Sequence, residues 1–259
     1  MEVTKVTAML DLIVESTRRR VKEIDSSVPV EERQIQSLEK SIRTRKQNGV
    51  NPVIAEIKFR SPSEGLIRSY EDPAGIASGY VDAGCAGISV LTNPEFFGGD
   101  NSFIEKIRPQ TAVPVLRKDF VVDEAQVRET AALGADAVLL IAAVLGEELG
   151  GFIEYTHGFG LEALVEVHDE AEMENAISGG ARIIGINNRN LKTMKTELET
   201  TRRLGPLAAG RGVTVVCESG ITGPADIREM RKCCDGFLVG TYLMKAEDPA
   251  KALEGLVCA

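Results

Sequence analysis

The sequence predicts an α/β fold, a closed (β/α)8 barrel preceded by an N-terminal helical extension. Two observations carry that prediction. From residue 52 onward, short apolar, β-rich runs alternate with amphipathic helical stretches, giving eight strand–helix pairs. A pattern of helix end, glycine, small residue and buried strand repeats at a spacing of roughly two pairs. The same elements fit a doubly wound open sheet, but eight pairs with a two-unit echo favour closure. A third observation concerns chemistry. Several strands end in charged residues where turns are expected, and buried charges cost stability unless they pair or are used.

Residues 1–50 are rich in Glu, Lys, Arg and Leu and read as two helices. Met9, Leu10, Ile13 and Val14 form one apolar stripe, and Leu38 and Ile42 form another. The stretch SSVPV, Ser26 to Val30, breaks them. Stripes this thin do not make an independent core, so the segment is expected to pack on a larger body. The 259 residues are therefore read as one barrel domain, with 1–50 as its helical extension and 51–259 as the barrel.

The expected strands are 52–58, 86–91, 113–117, 136–141, 162–167, 182–187, 213–217 and 236–240. Helix starts between them are well marked. Asp72 and Asp248 precede Pro73 and Pro249, an N-cap followed by proline at the first helical position. Asp123 with Gln126, and Asp169 with Glu172, have capping-box spacing. The repeat is carried by Gly84, Gly134 and Gly180, and more loosely by Gly236.

Composition narrows the function. A net charge of −9 argues against nucleic-acid binding, though lysines in a cleft still suit an anionic small molecule. The Arg18-Arg19-Arg20 run reads as the solvated face of a helix. No apolar run reaches the ~20 residues of a membrane span. The start, MEVTK, lacks the basic-then-apolar order of a signal peptide, so a cytoplasmic location is expected. Five cysteines without ligand spacing and two distant histidines give no metal site, and reduced thiols are the default. No Walker or dinucleotide glycine loop is present, and no cofactor is expected.

In a barrel the active site lies at the C-terminal strand ends. Glu56 and Lys58 stand two apart on the first strand and share a face. Lys118, Glu166, Asn187 with Arg189, and Glu218 follow at later ends. Each alone reads as a rim residue or a salt bridge; lysines and glutamates gathered in one layer do not. The seventh and eighth ends carry Ser219-Gly220 and Gly240-Thr241. Loops at these places hold phosphate through backbone N–H groups in many barrels. Glycine is expected there so that an anion can approach the main chain.

Taken together, these segments resemble the indole-3-glycerol phosphate synthase family. The matching stretches are IAEIK (54–58) with SPS (61–63), SVLT (89–92) with FFGG (96–99), VLRKDF (115–120) and LVEVH (164–168). IGINNRNL (184–191), ESGI (218–221) and FLVG (237–240) complete the set, in family order. The resemblance implies a TIM barrel that closes an indole ring on an anthranilate-derived ribulose phosphate, losing carbon dioxide and water. It implies Lys118 as general acid at the sugar carbonyl. Lys58 would hold the substrate carboxylate and donate a later proton, and Glu166 would transfer protons. Glu56 and Asn187 would orient lysines and hydroxyls, with Glu218 in support.

Phe97, Phe120, Leu139 and Leu140 are expected to form an apolar slot for the aromatic ring. Ser61, Ser219, Gly220, Gly240 and Thr241 are the phosphate candidates, with Arg189 a further anion contact. Glu64, Asn93-Pro94 and Thr241-Tyr242 depart from the family pattern, which bears on affinity and loop motion. Two other functions fit the residues less well: a Schiff-base aldolase on a sugar phosphate, and a non-catalytic phosphate-binding subunit. A non-covalent complex with another pathway enzyme is compatible with the sequence.

Overall fold

The computed structural model describes residues 3–25, 27–190 and 195–259. Ser26 in the predicted break, Leu191 in the family-like stretch, and Met1 and Glu2 lie outside these residues. Eight parallel strands close into a barrel: β1 Val53–Ile57, β2 Gly87–Leu91, β3 Val115–Lys118, β4 Ala137–Ile141, β5 Glu162–Val167, β6 Ile183–Asn187, β7 Thr214–Glu218 and β8 Gly236–Val239. Each pairs with its sequence neighbours, and β1 pairs with both β2 and β8. Every expected strand is present within two residues of its predicted bounds. A small antiparallel hairpin, Arg60–Ser61 with Gly65–Leu66, was not foreseen; it sits in the loop after β1.

Strand alternation splits the core into two layers. Ile54, Leu116, Leu139, Leu164, Ile183, Val216 and Leu238 fill the barrel interior. Val53, Val138, Leu140, Val165, Ile184 and Val239 face the helical shell. Strands buried on both faces require near-continuous apolar runs, which is how they read in the sequence.

The predicted helices of the extension are α1, Val3–Val21, and α2, Leu38–Gln47. α2 closes the N-terminal end of the barrel. Its Leu38 and Ile42 are fully buried and belong to the interior layer, worth about 1.5–3 kcal/mol each. Barrel residues hold it there: the Glu162 carboxylate at the foot of β5 accepts from the Ser37 hydroxyl at 2.6 Å and from Glu39 N at 3.1 Å. Buried Asp136 binds both Arg33, at 2.8 Å, and Arg108, at 2.5 Å, at the same end.

α1 lies at the opposite end. Ile13 and Thr17 are buried, and Arg20 reaches the buried Asp119 carboxylate at 2.7 Å. The basic run is therefore not uniformly solvated. Arg18 and Arg19 are exposed, but Arg20 docks the helix, because Asp119 is a desolvated carboxylate that needs a cation.

All four predicted helix starts hold, with Asp72, Asp123, Asp169 and Asp248 as N-caps. Gly84, Gly134 and Gly180 share a left-handed backbone, with φ of +84, +82 and +89°. That is the physical content of the repeat. Gly236 does not share it. It lies inside β8, where an added Cβ would press on Pro52 O and Ile42 at 3.2 Å.

Candidate active site

A cavity of about 720 Å³ opens at the C-terminal strand ends. The parity of the strands explains what lines it. Glu56 and Lys58 continue the inward series begun by Ile54; Lys118 follows Leu116, Glu166 follows Leu164, and Asn187 follows Ile183. Inward positions near the base are apolar and pack, whereas those near the mouth are polar and line the cavity. Ser61, Phe97, Phe120, Leu139 and Arg189 join them, as do Ser219, Gly220, Gly240 and Thr241. Glu218 does not line the cavity but stands behind Lys118, fully buried.

The charges form one connected network. Lys58 Nζ lies 2.8 Å from Glu56 Oε1, and Lys118 Nζ lies 3.3 Å from Glu56 Oε2. Lys118 also meets Glu218 Oε2 at 2.9 Å. Burial opposes ionisation of Glu56, but the adjoining Lys58 and Lys118 ammoniums outweigh it and hold the carboxyl down to about 2. Burial likewise disfavours the Lys118 cation, yet Glu218, Glu56 and Glu166 raise its affinity for the proton well above the ordinary lysine range. Glu218 goes the other way. Burial first, then repulsion from Glu166 and Glu56, exceed the pull of Lys118 and push it up to about 7. Its Oε1 has no hydrogen-bond partner among the described residues.

Glu166 is kept ionised against burial by His168, Lys118 and Asn187. His168 Nε2 stands 3.3 Å from Glu166 Oε1, an ionic contact without hydrogen-bond alignment, and Nδ1 stands 3.0 Å from Glu172 Oε2. Burial lowers the affinity of the imidazole for its second proton, but those two carboxylates reverse the effect and bring it to about 10.

Two glycines make room for the carboxylates. A Cβ on Gly240 would overlap Glu56 Oε1, and a Cβ on Gly185 would overlap Glu218 Oε1. Gly240 has φ of −121°, so its glycine is required by space and not by backbone conformation. This spatial reason stands beside the expected one, approach of an anion to the main chain. Gly220, at φ +92°, follows Ser219 at φ +64°, and the two left-handed residues turn the chain sharply after β7. The Asn188 amide fixes that turn by donating to the Glu218 and Ser219 carbonyls at 2.9 and 3.1 Å. A short helix, Thr241–Lys245, starts directly after Gly240.

The apolar wall holds Phe97 and Phe120, with ring centroids 6.0 Å apart, and Leu139. Leu140 is not part of it. Alternation turns its side chain outward, into the layer beneath the helices. Met9, Leu10 and Ile13 of α1 also line the cavity, a role the sequence did not assign beyond an apolar stripe needing a partner. Glu64 meets Lys245 at 2.6 Å, joining the loop after β1 to the short helix after β8. That hydrogen bond is the main reason the Glu64 carboxyl lies below the usual range; burial opposes it, and Arg189 and Lys58 add to it. His168, Gly185 and Lys245 were likewise not singled out.

Among the described residues no cluster suited to a metal ion and no helix long and apolar enough to cross a membrane is present. The family model described as indole-3-glycerol phosphate synthase matches residues 4–256. The synthase of Carboxydothermus hydrogenoformans is 40% identical, over 96% of this chain and 99% of that protein. The one from Methanopyrus kandleri is 42% identical, over 96% and 97%. Among solved structures, tryptophan synthase subunit alpha of Legionella pneumophila str. Paris superposes with a TM-score of 0.64 at 15% identity, covering 87% of this chain and 97% of that one. That likeness concerns the barrel fold alone. Fold, strand-end chemistry and matches along nearly the whole length agree: the chain belongs to the indole-3-glycerol phosphate synthase family.

Proposed function

We propose that the cavity closes the indole ring of 1-(2-carboxyphenylamino)-1-deoxyribulose 5-phosphate by acid–base catalysis from lysines and glutamates. The products are indole-3-glycerol phosphate, carbon dioxide and water, a carboxy-lyase step of tryptophan biosynthesis. One observation carries the mechanism: Glu56 holds Lys58 on one oxygen and Lys118 on the other, so two proton donors face one space.

Lys118 protonates the sugar ketone as the ring carbon bearing the carboxylate attacks it. Carbon dioxide then leaves, and its bonding electrons restore the aromatic ring. Lys58, which first pairs with the substrate carboxylate, protonates the new hydroxyl so that it departs as water. Glu166 accepts the proton released from the neighbouring carbon, which completes the double bond. Acid–base help of this kind is worth about 10²–10⁴-fold per group. Glu56 and Glu218 hold the lysines, and Asn187 orients the sugar. Phe97, Phe120 and Leu139 take the ring. Arg189, Ser61, Ser219, Gly220, Gly240 and Thr241 take the phosphate and neighbouring hydroxyls.

The electrostatics speak against an aldolase. A Schiff-base lysine must shed its proton to attack a carbonyl, whereas Glu218, Glu56 and Glu166 strengthen the hold of Lys118 on its own. We read residues 1–259 as one functional barrel, because α1 and the strand ends line the same cavity. A cytoplasmic location and non-covalent association with another pathway enzyme belong to the same proposal.

The test is turnover followed by indole fluorescence with the authentic substrate. The purified chain should generate the signal, and Lys118→Ala should abolish nearly all of it while still binding substrate. Silence from the unaltered chain would end the proposal, and a near-normal rate in the variant would remove Lys118 from its role.

A further inference from the structure

The helix after β5 begins with a capping box that does not close in the usual way. Asp169 caps the Glu170–Ser178 helix by accepting from Glu172 N at 2.9 Å. Reciprocally, the Glu172 carboxylate accepts from the N–H one residue before the cap, His168 N, at 2.8 Å. The matching box after β3 does the same, with Gln126 accepting from Val122 N at 2.8 Å. Only after β5 does the residue so reached carry a titratable ring. The same Glu172 oxygen lies 3.0 Å from His168 Nδ1, and the far nitrogen of that ring lies 3.3 Å from Glu166.

The imidazole is therefore held between two carboxylates, one at each nitrogen. A neutral ring has one N–H and one lone pair, so one of the two carboxylate contacts would be repulsive. Both are favourable only when both nitrogens carry protons. The chain Glu172–His168–Glu166 runs from a helix start to the cavity wall, and its three members are largely shielded from solvent. Lys118 and Asn187 act on Glu166 from β3 and β6, so two further strands grip the carboxylate besides His168.

We propose that His168 is a positioning residue for the reaction: as an imidazolium anchored by Glu172 in the first turn of the following helix, it fixes the position and charge of Glu166. The inference rests on the role given to Glu166 above. Without the cation, Glu166 would keep the charge of Lys118 and the hydrogen bond of Asn187. It would then turn toward that lysine and away from the proton it must accept. Glu172 thus serves two functions with one oxygen, bracing the residue before the helix cap and orienting the ring. Supporting groups that orient a reactive side chain commonly cost about 10–100-fold in activity when removed from metal sites, and the same logic applies to a carboxylate base.

The chain has two histidines, His157 and His168, so nitrogen-15 NMR of the imidazoles is readily assigned with a His157→Asn variant. In the unaltered protein at neutral pH, both His168 nitrogens should carry protons. Glu172→Gln should lower the protonated fraction. His168→Leu should reduce kcat by about 10–100-fold with KM changed less than about threefold, and Glu172→Gln should fall between. A singly protonated His168 ring in the unaltered protein would overturn the inference, as would unchanged kcat in a folded His168→Leu variant. The spectroscopic arm needs no substrate and no variant that fails to fold. A failure of the ring-closure assay is therefore distinguishable from a failure of this inference.

Discussion

Lys118 Nζ stands 2.9 Å from Glu218 Oε2, while the other oxygen of that carboxylate meets no donor among the described residues. The half-satisfied acid is pushed up to about 7 from its ordinary 4.5. The folded protein holds this proton more tightly than the unfolded chain does. Stability associated with Glu218 is therefore greatest below the ordinary carboxylate range and is lost as pH rises toward and through 7. Glu218→Gln should flatten that decline, raising Tm at pH 8 relative to the unaltered protein while leaving Tm near pH 4.5 similar. Parallel Tm curves across this range would show that Glu218 titrates normally.

Gly240 has no room for a methyl group beside Glu56. In Gly240→Ala the carboxylate must swing away, taking with it the shared acceptor of both lysines. Overpacking of this kind costs about 1–3 kcal/mol, and kcat should fall well beyond what that loss of stability explains. Urea melts and steady-state kinetics on the same sample separate the two effects. Full activity in a folded variant would mean that Glu56 does not need its present position.

The Glu64–Lys245 pair is partly exposed, with 33% and 53% of the side chains accessible, and is worth about 0.2–1 kcal/mol at most. Its interest lies in binding. Glu64 is an anion in a region whose cations, Lys245, Arg189 and Lys58, suit an anionic substrate. Glu64→Gln should leave Tm nearly unchanged and lower KM severalfold at low salt, with the gain shrinking at high salt. A KM that rises instead would assign Glu64 to substrate contact.

Asp119 gathers Arg20 at 2.7 Å and Arg117 at 3.8 Å, and it is fully buried. Arg117 is itself only 2% exposed and leans on Glu129 at 2.5 Å. Asp119→Ala removes one member of a buried ionic cluster and should cost about 3–5 kcal/mol in equilibrium unfolding. Asp119→Asn should cost less, since it still accepts hydrogen bonds. A loss under 1 kcal/mol in the alanine variant would mean that solvent replaces the carboxylate without penalty.

Much of this was legible in the sequence, for reasons that vary by element. The strands were readable because parallel strands buried on both faces force continuous apolar runs, and period two then put Glu56, Lys118, Glu166, Asn187 and Glu218 on one side. The caps Asp72, Asp123, Asp169 and Asp248 are local and need no tertiary knowledge. Leu140 is next to Leu139 in sequence, but alternation sends the two side chains to opposite faces of the strand. Arg20 does not stand out from its run in the sequence, because its partner Asp119 lies 99 residues away and nothing local announces it. His168 and Gly185 were passed over for the same reason: their importance comes from which carboxylate crosses the barrel to meet them. Residues 9–13 declared an apolar face but not its occupant.

The unequal fastening of the two extension helices has a consequence for heat. α2 is sealed into the barrel by Leu38, Ile42 and the Glu162 and Asp136 anchors, while the described residues of α1 rest on Ile13, Thr17, the Ser16–Glu95 hydrogen bond and the Arg20 contact. The less firmly seated helix opens first, since local opening follows the number of buried contacts. Because Met9, Leu10 and Ile13 wall the cavity, warming should extinguish turnover while the barrel's circular dichroism is still intact. The temperature of half-inactivation would then lie below the melting midpoint, and the interval between them gauges how firmly that first helix is seated.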